Sequence, residues 1–206
     1  MSIVFSWPLA SIGRELKVLN EESNEKDHGF DGIQLGGHPR SDGELYAVRV
    51  FSPLPLSSIE KYERIHGVQI VAGYSSVLSQ INGAWIYRLA LYGVPPSMTE
   101  EPPLLDRSIP QPLDIATANL NWRNAFSPSR DEFHFGSSSW TLEKNVGYFL
   151  GPSGRVRGLV DGQGCVGEWM DIDSFLQEEI VRNREAYPEY LSFFDEMISR
   201  RKKRRN

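Results

Sequence analysis

The amino-acid sequence predicts an α+β fold in which a mostly antiparallel sheet is flanked by helices. Three observations indicate this class. Apolar residues recur at helical spacing around residues 74–81, short apolar segments separated by glycine-rich turns follow one another from residue 133, and an acidic helical segment comes after them. Strands that follow one another directly, with helices outside them, are typical of an antiparallel sheet. The 206-residue chain suits a single domain, which we place at residues 1–199.

The first part of the chain contains a predicted insertion, a strand and a helix. Residues 20–44 are polar and glycine-rich, so we expect a flexible insertion. ELYAVRVF, residues 44–51, predicts a strand with one buried face. SSIE, residues 57–60, fits a capping box in which Ser57 and Glu60 begin a helix, and Gly67 is placed to end it.

The stretch YSSVLSQINGAWIY, residues 74–87, contains Asn82-Gly83, a dipeptide that either turns a hairpin or ends a helix. Its apolar residues recur at the spacing of one helix face: Tyr74, Val77, Leu78 and Ile81. A strand would instead place polar residues on the core face. The spacing therefore predicts a helix ended by Asn82-Gly83, followed by one strand, AWIYRLALYG.

The remaining segments predict a loop, a helix, a set of strands and two final helices. Residues 93–114 contain six prolines and predict an extended surface loop. DIATANLNWRNAF predicts a helix with Asp114 as N-cap. FHFG, VGYFL, RVRGLV and CVGEWM predict strands joined by the turns GPSG and DGQG. DIDSFLQEEIVRNREAY then predicts a helix that Pro188 breaks, and a last amphipathic helix follows.

The charge is unevenly distributed. The chain has 22 Lys and Arg against 27 Asp and Glu, and six of the basic residues stand at positions 200–205. The rest of the chain therefore carries 16 basic and 27 acidic residues, a charge of −11, which disfavours direct binding to nucleic acid. We interpret the basic tail, residues 200–206, as a solvated terminus; a nuclear-localisation or nucleic-acid patch is the alternative.

Cysteine content and hydropathy bear on the compartment. Cys165 is the one cysteine, so no intramolecular disulfide can form. Apolar stretches fall far short of the roughly 20 residues that a membrane-spanning helix requires. The apolar run near the N-terminus has no preceding basic residue and contains Pro8, which argues against a signal peptide. We therefore expect a cytoplasmic protein that does not contact the membrane.

The motifs that would carry catalysis are incomplete. GQGCVG, residues 162–167, spells the dinucleotide-binding pattern, but no strand remains to complete the required unit, so a glycine-rich hairpin is expected. GSSSW resembles a nucleophile elbow around Ser138, yet Trp140 replaces the last glycine and no histidine follows. Cys165 is expected to be buried and inert. The four histidines lack zinc-site spacing. We expect no enzymatic activity, no cofactor and no metal.

The order of these segments resembles the SUKH superfamily, which includes fungal cell-wall-synthesis regulators and bacterial toxin-immunity proteins. The residues that carry the resemblance lie at about 57–187: IEKYERIHG, GYSSVLSQING with the strand ending in LYG, DIATANLNWRNAF, FHFGSSSWTLEKNVGYFL, GRVRGLV and EWMDIDSFLQEEI. One departure is Val71, where the family usually has proline.

The resemblance implies a SUKH-like domain that acts by binding another protein. On this basis we expect an immunity protein that neutralises a cognate toxin by direct binding. A regulatory interaction scaffold of the fungal type is the alternative, with residues 20–44, the proline-rich loop and the basic tail as docking elements. Tight one-to-one binding to a basic protein favours the first function, and several weak partners favour the second.

A partner-binding site is predicted where acidic residues surround a tryptophan. Between residues 161 and 179 there are six acids and no lysine or arginine. The predicted site comprises Asp161, Glu168, Trp169, Asp171, Asp173, Glu178 and Glu179. Acidic charge around an aromatic anchor suits a basic protein partner such as a nuclease toxin. The alternative is that Asp171 and Asp173 only stabilise the start of a helix and that Trp169 belongs to the core.

Overall fold

The computed structural model of the protein describes residues 9–22, 32–40, 43–95, 111–141 and 144–203. An eight-stranded sheet lies at the centre, and its strands are neighbours in the order in which they follow along the chain. Every strand pair is antiparallel. The predicted α+β class with an antiparallel sheet is confirmed.

The sheet and helices have the following bounds. The strands are β1 (Gly32–Arg40), β2 (Gly43–Phe51), β3 (Ala84–Ile86), β4 (Leu89–Leu91), β5 (Phe133–Ser139), β6 (Asn145–Leu150), β7 (Val156–Val160) and β8 (Gly164–Trp169). The helices are α1 (Ala10–Glu22), α2 (Leu56–His66), α3 (Ala72–Leu78), α4 (Ile115–Thr117) and α5 (Ile172–Lys203). The chain continues from α4 as a π-helical turn, Ala118–Trp122, and a 3-10 turn, Arg123–Phe126.

Helix α3 carries the predicted apolar face. Its members are at most 1% exposed: Tyr74, Val77, Leu78 and, just beyond the helix, Ile81. The helix interpretation of this stretch is confirmed, although α3 ends at Leu78 and Ser79 is its C-cap. Asn82-Gly83 instead links α3 to β3. Gly83 has φ +82°, and a Cβ there would lie 2.7 Å from the Leu91 carbonyl oxygen, so glycine is required.

The segment AWIYRLALYG forms two strands, and the prediction of one strand is wrong. β3 and β4 pair across a turn at Tyr87-Arg88, and Tyr87 has φ 56°. This turn has neither the glycine nor the asparagine that usually signals a two-residue hairpin. Long-range contacts fix it: the Tyr87 amide donates to the Ala47 carbonyl at 2.5 Å, and the Tyr87 hydroxyl donates to the Glu15 carboxylate at 2.5 Å.

The flexible insertion predicted for residues 20–44 is wrong wherever the structure describes this segment. Helix α1 extends to Glu22, and β1 fills most of the second half and pairs with β2 along its length. Leu35 is 4% exposed, which shows that β1 contributes to the core. Pairing with a long neighbouring strand compensates for the low apolar content of β1, because the hydrogen bonds of the ladder do not depend on side chains.

Two helix boundaries differ from the predictions. Helix α2 begins at Leu56 after Pro55, without a side-chain cap, so the capping box at Ser57 is wrong; Gly67, with φ 63°, ends α2 as predicted. Pro188 lies inside the continuous helix α5 and does not break it. Pro188 is exposed, and α5 continues across it although the ring removes one backbone hydrogen bond and crowds the carbonyl four residues earlier.

The second half of the sheet is the predicted meander. The GPSG turn contains Gly154 at φ +83°, and the next turn contains Gly162 at +70° and Gly164 at +76°. This region of backbone space disfavours residues with a Cβ. Gly167 lies within β8 and does not begin a helix. The glycine pattern at residues 162–167 is therefore a hairpin, as the sequence indicated.

Helical segments pack on both faces of the sheet. On one face, Phe135 of β5 contacts Tyr74 of α3 and Phe175 of α5, with ring centroids 5.3 and 5.4 Å apart. On the other face, His134 contacts Phe126 at 5.5 Å. Asp114 caps the segment that follows it by accepting from the backbone of Ala116 and Thr117, as predicted. Neighbouring residues of one strand thus anchor both layers, since their side chains point to opposite faces.

Several predicted segments lie outside the described residues. They include residues 96–110 of the proline-rich loop and residues 204–206 of the basic tail. The first part of the tail, residues 200–203, forms the end of α5. Within the described part of the chain, no helix combines the length and the apolar character needed to cross a bilayer.

Candidate protein-binding surface at the sheet edge

Strand β8 forms one edge of the sheet. Within the described residues, β7 is its one neighbouring strand. The seven residues of the predicted site lie in the turn before β8, in β8 itself, at Asp171 directly before α5, and in the first turns of α5. An edge strand presents backbone groups that another chain can contact. The seven side chains differ in whether they are exposed at this edge or buried.

Two acidic residues flank β8 on opposite faces of the sheet. Glu168 and Trp169 are adjacent in the strand, so their side chains point in opposite directions. Glu168 Oε1 lies 3.6 Å from Arg157 Nε, and Arg157 also pairs with Glu132 at 2.8 Å. On the other face, the Trp169 indole N–H donates to Glu178 Oε2 at 2.9 Å. The predicted acids therefore surround the edge and do not form a single stripe.

Trp169 is a half-buried packing residue. Its ring lies 5.2 Å from that of Phe175 and 6.0 Å from that of Tyr148. Glycines provide the space for the indole: a Cβ at Gly167 would lie 2.6 Å from a ring carbon of Trp169, and one at Gly158 would lie 3.4 Å away. Part of the indole still faces solvent beside Glu178, although most of the ring packs against the core.

Glu179 does not belong to this surface, and its assignment to the site is wrong. Its side chain is 3% exposed, and it faces the core from α5. Its carboxylate accepts from the Tyr148 hydroxyl, from Arg182 at 2.6 Å and from the Asn183 amide at 3.3 Å. Burial, with the Glu179 charge second, raises the pKa of Tyr148. Glu179 is thus a buried charge satisfied by its own network.

Ser138, singled out by the GSSSW motif, belongs to the same network. It lies within β5, not at a strand-to-helix turn, and it is 4% exposed. Its hydroxyl donates to Asn183 Oδ1 at 2.6 Å and lies 3.3 Å from Arg182 Nη2. The geometry of a nucleophile elbow is not formed here.

Asp171 and Asp173 stabilise the start of α5. Asp171 Oδ1 accepts from the backbone N–H of Ser174 at 2.8 Å, an arrangement that satisfies a free donor of the first turn. Asp173 accepts from Ser11 Oγ at 3.1 Å and from Gln177 Nε2 at 2.8 Å. Both carboxylates thus have structural partners within the fold, as in the alternative interpretation of the sequence.

Exposed residues remain around the edge, and one of them was missed by the sequence prediction. Met170 is 70% exposed between β8 and the start of α5. Cys165 is also exposed, so the expectation that it is buried is wrong; it lies on the edge strand β8. We define the β8 edge surface as Asp161, Glu168, Met170 and Glu178, all exposed. Met170 could have been found as an apolar residue directly before a helix cap.

The buried histidine of β5 has a packing role. His134 is fully buried and stacks on Phe149, with centroids 4.4 Å apart, and its Nδ1 lies 3.3 Å from the Ala118 carbonyl. Burial lowers the pKa of His134 to about 4, so its ring is neutral at neutral pH. Across the described residues, no cluster of three or more His, Cys, Asp or Glu side chains could hold a metal ion.

The β8 edge surface combines an exposed thioether with carboxylates, and methionine is a residue type enriched at protein interfaces. The chain was compared with protein-family models, with curated proteins and with solved structures. None of them matches it.

Proposed function

We propose that this protein is a non-enzymatic binding protein whose β8 edge surface recognises a basic partner protein. The observation that carries the proposal is Met170, which is 70% exposed and directly follows β8, with the exposed carboxylates of Glu168 and Glu178 on opposite faces of that strand. An exposed apolar side chain surrounded by charges of one sign suits a contact in which apolar burial supplies affinity and charge supplies orientation.

Charge supports a basic partner. No lysine or arginine occurs between residues 161 and 179. Arg157 of the neighbouring strand compensates part of the Glu168 charge, at 3.6 Å, while Asp161 and Glu178 have no ion pair among the described residues. Exposed acids of this kind accelerate association with a cationic partner at low salt.

We further propose that the chain is a SUKH-like immunity protein and that its partner is a toxin. Support comes from the type of element that each block of the resemblance forms: the helices α2 and α3, the β3–β4 hairpin, the helical segment 115–126, the β5–β8 meander and the start of α5. A nuclease toxin fits, because a protein that binds nucleic acid presents basic surface to it. The partner acts in the cytoplasm, where the immunity protein meets it.

A charge-reversal experiment tests the surface. The wild-type chain captures its partner from the native cell, and the isolated pair is measured for association rate at low and high salt. One variant carries Asp161→Lys, Glu168→Lys and Glu178→Lys. A control variant carries Glu60→Lys, Asp131→Lys and Glu185→Lys, three exposed acids outside this surface, so both have the same net charge. The β8 variant should associate roughly tenfold more slowly or worse, with weaker salt dependence.

The outcomes test the β8 edge surface and the immunity function separately. Equal rates for the two variants, both melting cooperatively, contradict the β8 edge surface. The partner expressed alone should arrest growth, and co-expression of this chain should restore it. A harmless partner, or several weak partners in place of one stoichiometric complex, contradicts the immunity function and favours the regulatory scaffold.

A further inference from the structure

A groove lies between the β3–β4 turn and helix α5, and it shares no residue with the β8 edge surface. Two adjoining cavities of about 470 Å³ and 370 Å³ form it, and Arg88, Ser139 and Tyr190 line both. Cavities of this size are typical of small-molecule sites. We call it the arginine–aromatic groove.

The turn that carries Arg88 is fixed by contacts from distant parts of the chain. Tyr87, with φ 56°, occupies a backbone region that is uncommon for a residue with a side chain. Its hydroxyl donates to Glu15 of α1, and its ring lies 5.1 Å from that of Tyr187 of α5. Glu15 also pairs with Arg184 at 3.1 Å. These contacts hold Arg88 at the wall of the groove.

The groove is positively charged in an acidic chain. The charged residues that line it are Arg49, Arg88, Arg182 and Glu189, whereas the whole chain has a net charge of −5. The Arg182 guanidinium donates hydrogen bonds to the Glu179 carboxylate, the Tyr148 hydroxyl and the Ser139 carbonyl. Arg49 donates to Gln34 Oε1 at 2.7 Å. Both still contribute positive potential, but their donors are engaged.

Arg88 differs from the other two arginines. Its guanidinium carbon lies 4.3 Å from the centroid of the Tyr190 ring, and among the described residues no carboxylate forms an ion pair with it. Burial lowers the pKa of Arg88, and nearby Arg182 lowers it further, while Tyr190 and Glu189 raise it. A half-buried cation gains from an anion, because the partner replaces the hydration that burial removes.

Planar rings line the same two cavities as this cation. Trp140 and Tyr190 line the larger cavity, and Trp85 and Tyr187 line the smaller one. The Arg182 guanidinium carbon lies 5.1 Å from the Trp140 ring centroid. Flat aromatic faces favour stacking with a flat ligand, so the groove offers ring surfaces beside a donor for an oxyanion.

We propose that the arginine–aromatic groove binds a small molecule that joins a planar ring to an oxyanion, with the Arg88 guanidinium donating to that oxyanion. The forked guanidinium matches phosphate and carboxylate alike. The groove is independent of the protein-binding function, since it shares no residue with the β8 edge surface.

Isothermal titration calorimetry of the full chain tests the proposal with four probes. Adenosine 5′-monophosphate joins a ring to phosphate, and indole-3-acetate joins a ring to carboxylate. Adenosine has the ring without the oxyanion, and inorganic phosphate has the oxyanion without the ring. At least one two-part probe should bind roughly tenfold tighter than adenosine and phosphate do. The tighter of the two is the probe used with the groove variants.

Variants of the groove complete the test. Arg88→Gln should weaken the tighter probe roughly tenfold to a hundredfold, and Arg155→Gln, an exposed arginine that lines neither cavity, should not. If Arg88→Gln does not melt cooperatively, Trp140→Leu replaces it and should weaken the two-part probe while leaving inorganic phosphate unchanged. The proposal is overturned if no probe binds, if adenosine matches its monophosphate and indole-3-acetate does not bind, or if the substitutions leave binding unchanged.

Discussion

The side chain of Asn82 pairs with the backbone of Val94 through two hydrogen bonds. Its Oδ1 accepts from the Val94 N–H at 2.8 Å, and its Nδ2 donates to the Val94 carbonyl at 2.7 Å. Asn82 is 2% exposed. The amide therefore fastens the link between α3 and β3 to the chain that follows β4, and the asparagine of Asn82-Gly83 has this long-range role.

Removal of this amide should destabilise the fold. Asn82→Ala leaves two backbone groups of Val94 without partners, so we expect the free energy of unfolding to fall by about 2 kcal/mol or more. Urea unfolding followed by circular dichroism measures the loss. Asn82→Asp keeps an acceptor but loses the donor, and its buried carboxylate should have a raised pKa. Its destabilisation should therefore grow as the pH rises from about 3.9, the pKa of an unfolded aspartate, to that raised pKa, and should stay constant above it. A cost below about 0.5 kcal/mol for Asn82→Ala would show that the pairing is absent.

Truncation of Leu78 tests the buried face of α3. Leu78 is fully buried, and Leu78→Ala should cost about 2–5 kcal/mol through lost burial and the cavity that remains. Ser76→Ala, at an exposed position of the same helix, is the matched control and should change stability by less than about 0.5 kcal/mol. A loss under about 1 kcal/mol for Leu78→Ala would contradict the assigned face.

The adjacent residues Glu178 and Glu179 should respond very differently to alanine. Glu179→Ala removes the partner of Arg182 and of the Tyr148 hydroxyl inside the core, and we expect a loss of about 3 kcal/mol. Glu178→Ala removes an exposed hydrogen bond to Trp169 and should cost less than about 1 kcal/mol. Chemical unfolding of both variants gives the comparison. Equal small losses would place Glu179 at the surface after all.

His134 should make the fold sensitive to acid. Its pKa is lowered to about 4 by burial, against about 6.5 in an unfolded chain. Between these values the unfolded state binds the extra proton, so stability is complete above pH 6.5 and declines as the pH falls toward 4, by about 3 kcal/mol in all. His134→Phe should remove this share of the pH dependence in urea unfolding. A folded-state imidazole that titrates near pH 6.5 by NMR would refute the prediction.

Sequence periodicity was enough to predict the elements that depend on residues close together in the sequence. The spacing of Tyr74, Val77, Leu78 and Ile81 predicted α3, because a helix needs one continuous apolar face to pack. The alternation and turn glycines after residue 133 predicted the meander of β5–β8, since each strand there pairs with its neighbour in sequence. The N-cap at Asp114 was equally local. These features depend on residues within a few positions of one another.

The tertiary structure decided what depends on distant residues. The turn at Tyr87-Arg88 has no local signal, and contacts from Ala47 and Glu15 fix it. Strand β1 forms because its backbone can pair with that of β2. Glu178 and Glu179 are indistinguishable in the sequence, yet one is exposed and the other lies in the core with Tyr148 and Arg182, because successive helix residues point about 100° apart. The sequence alone therefore determined composition, charge and local periodicity, while burial and the convergence of distant side chains were set by packing.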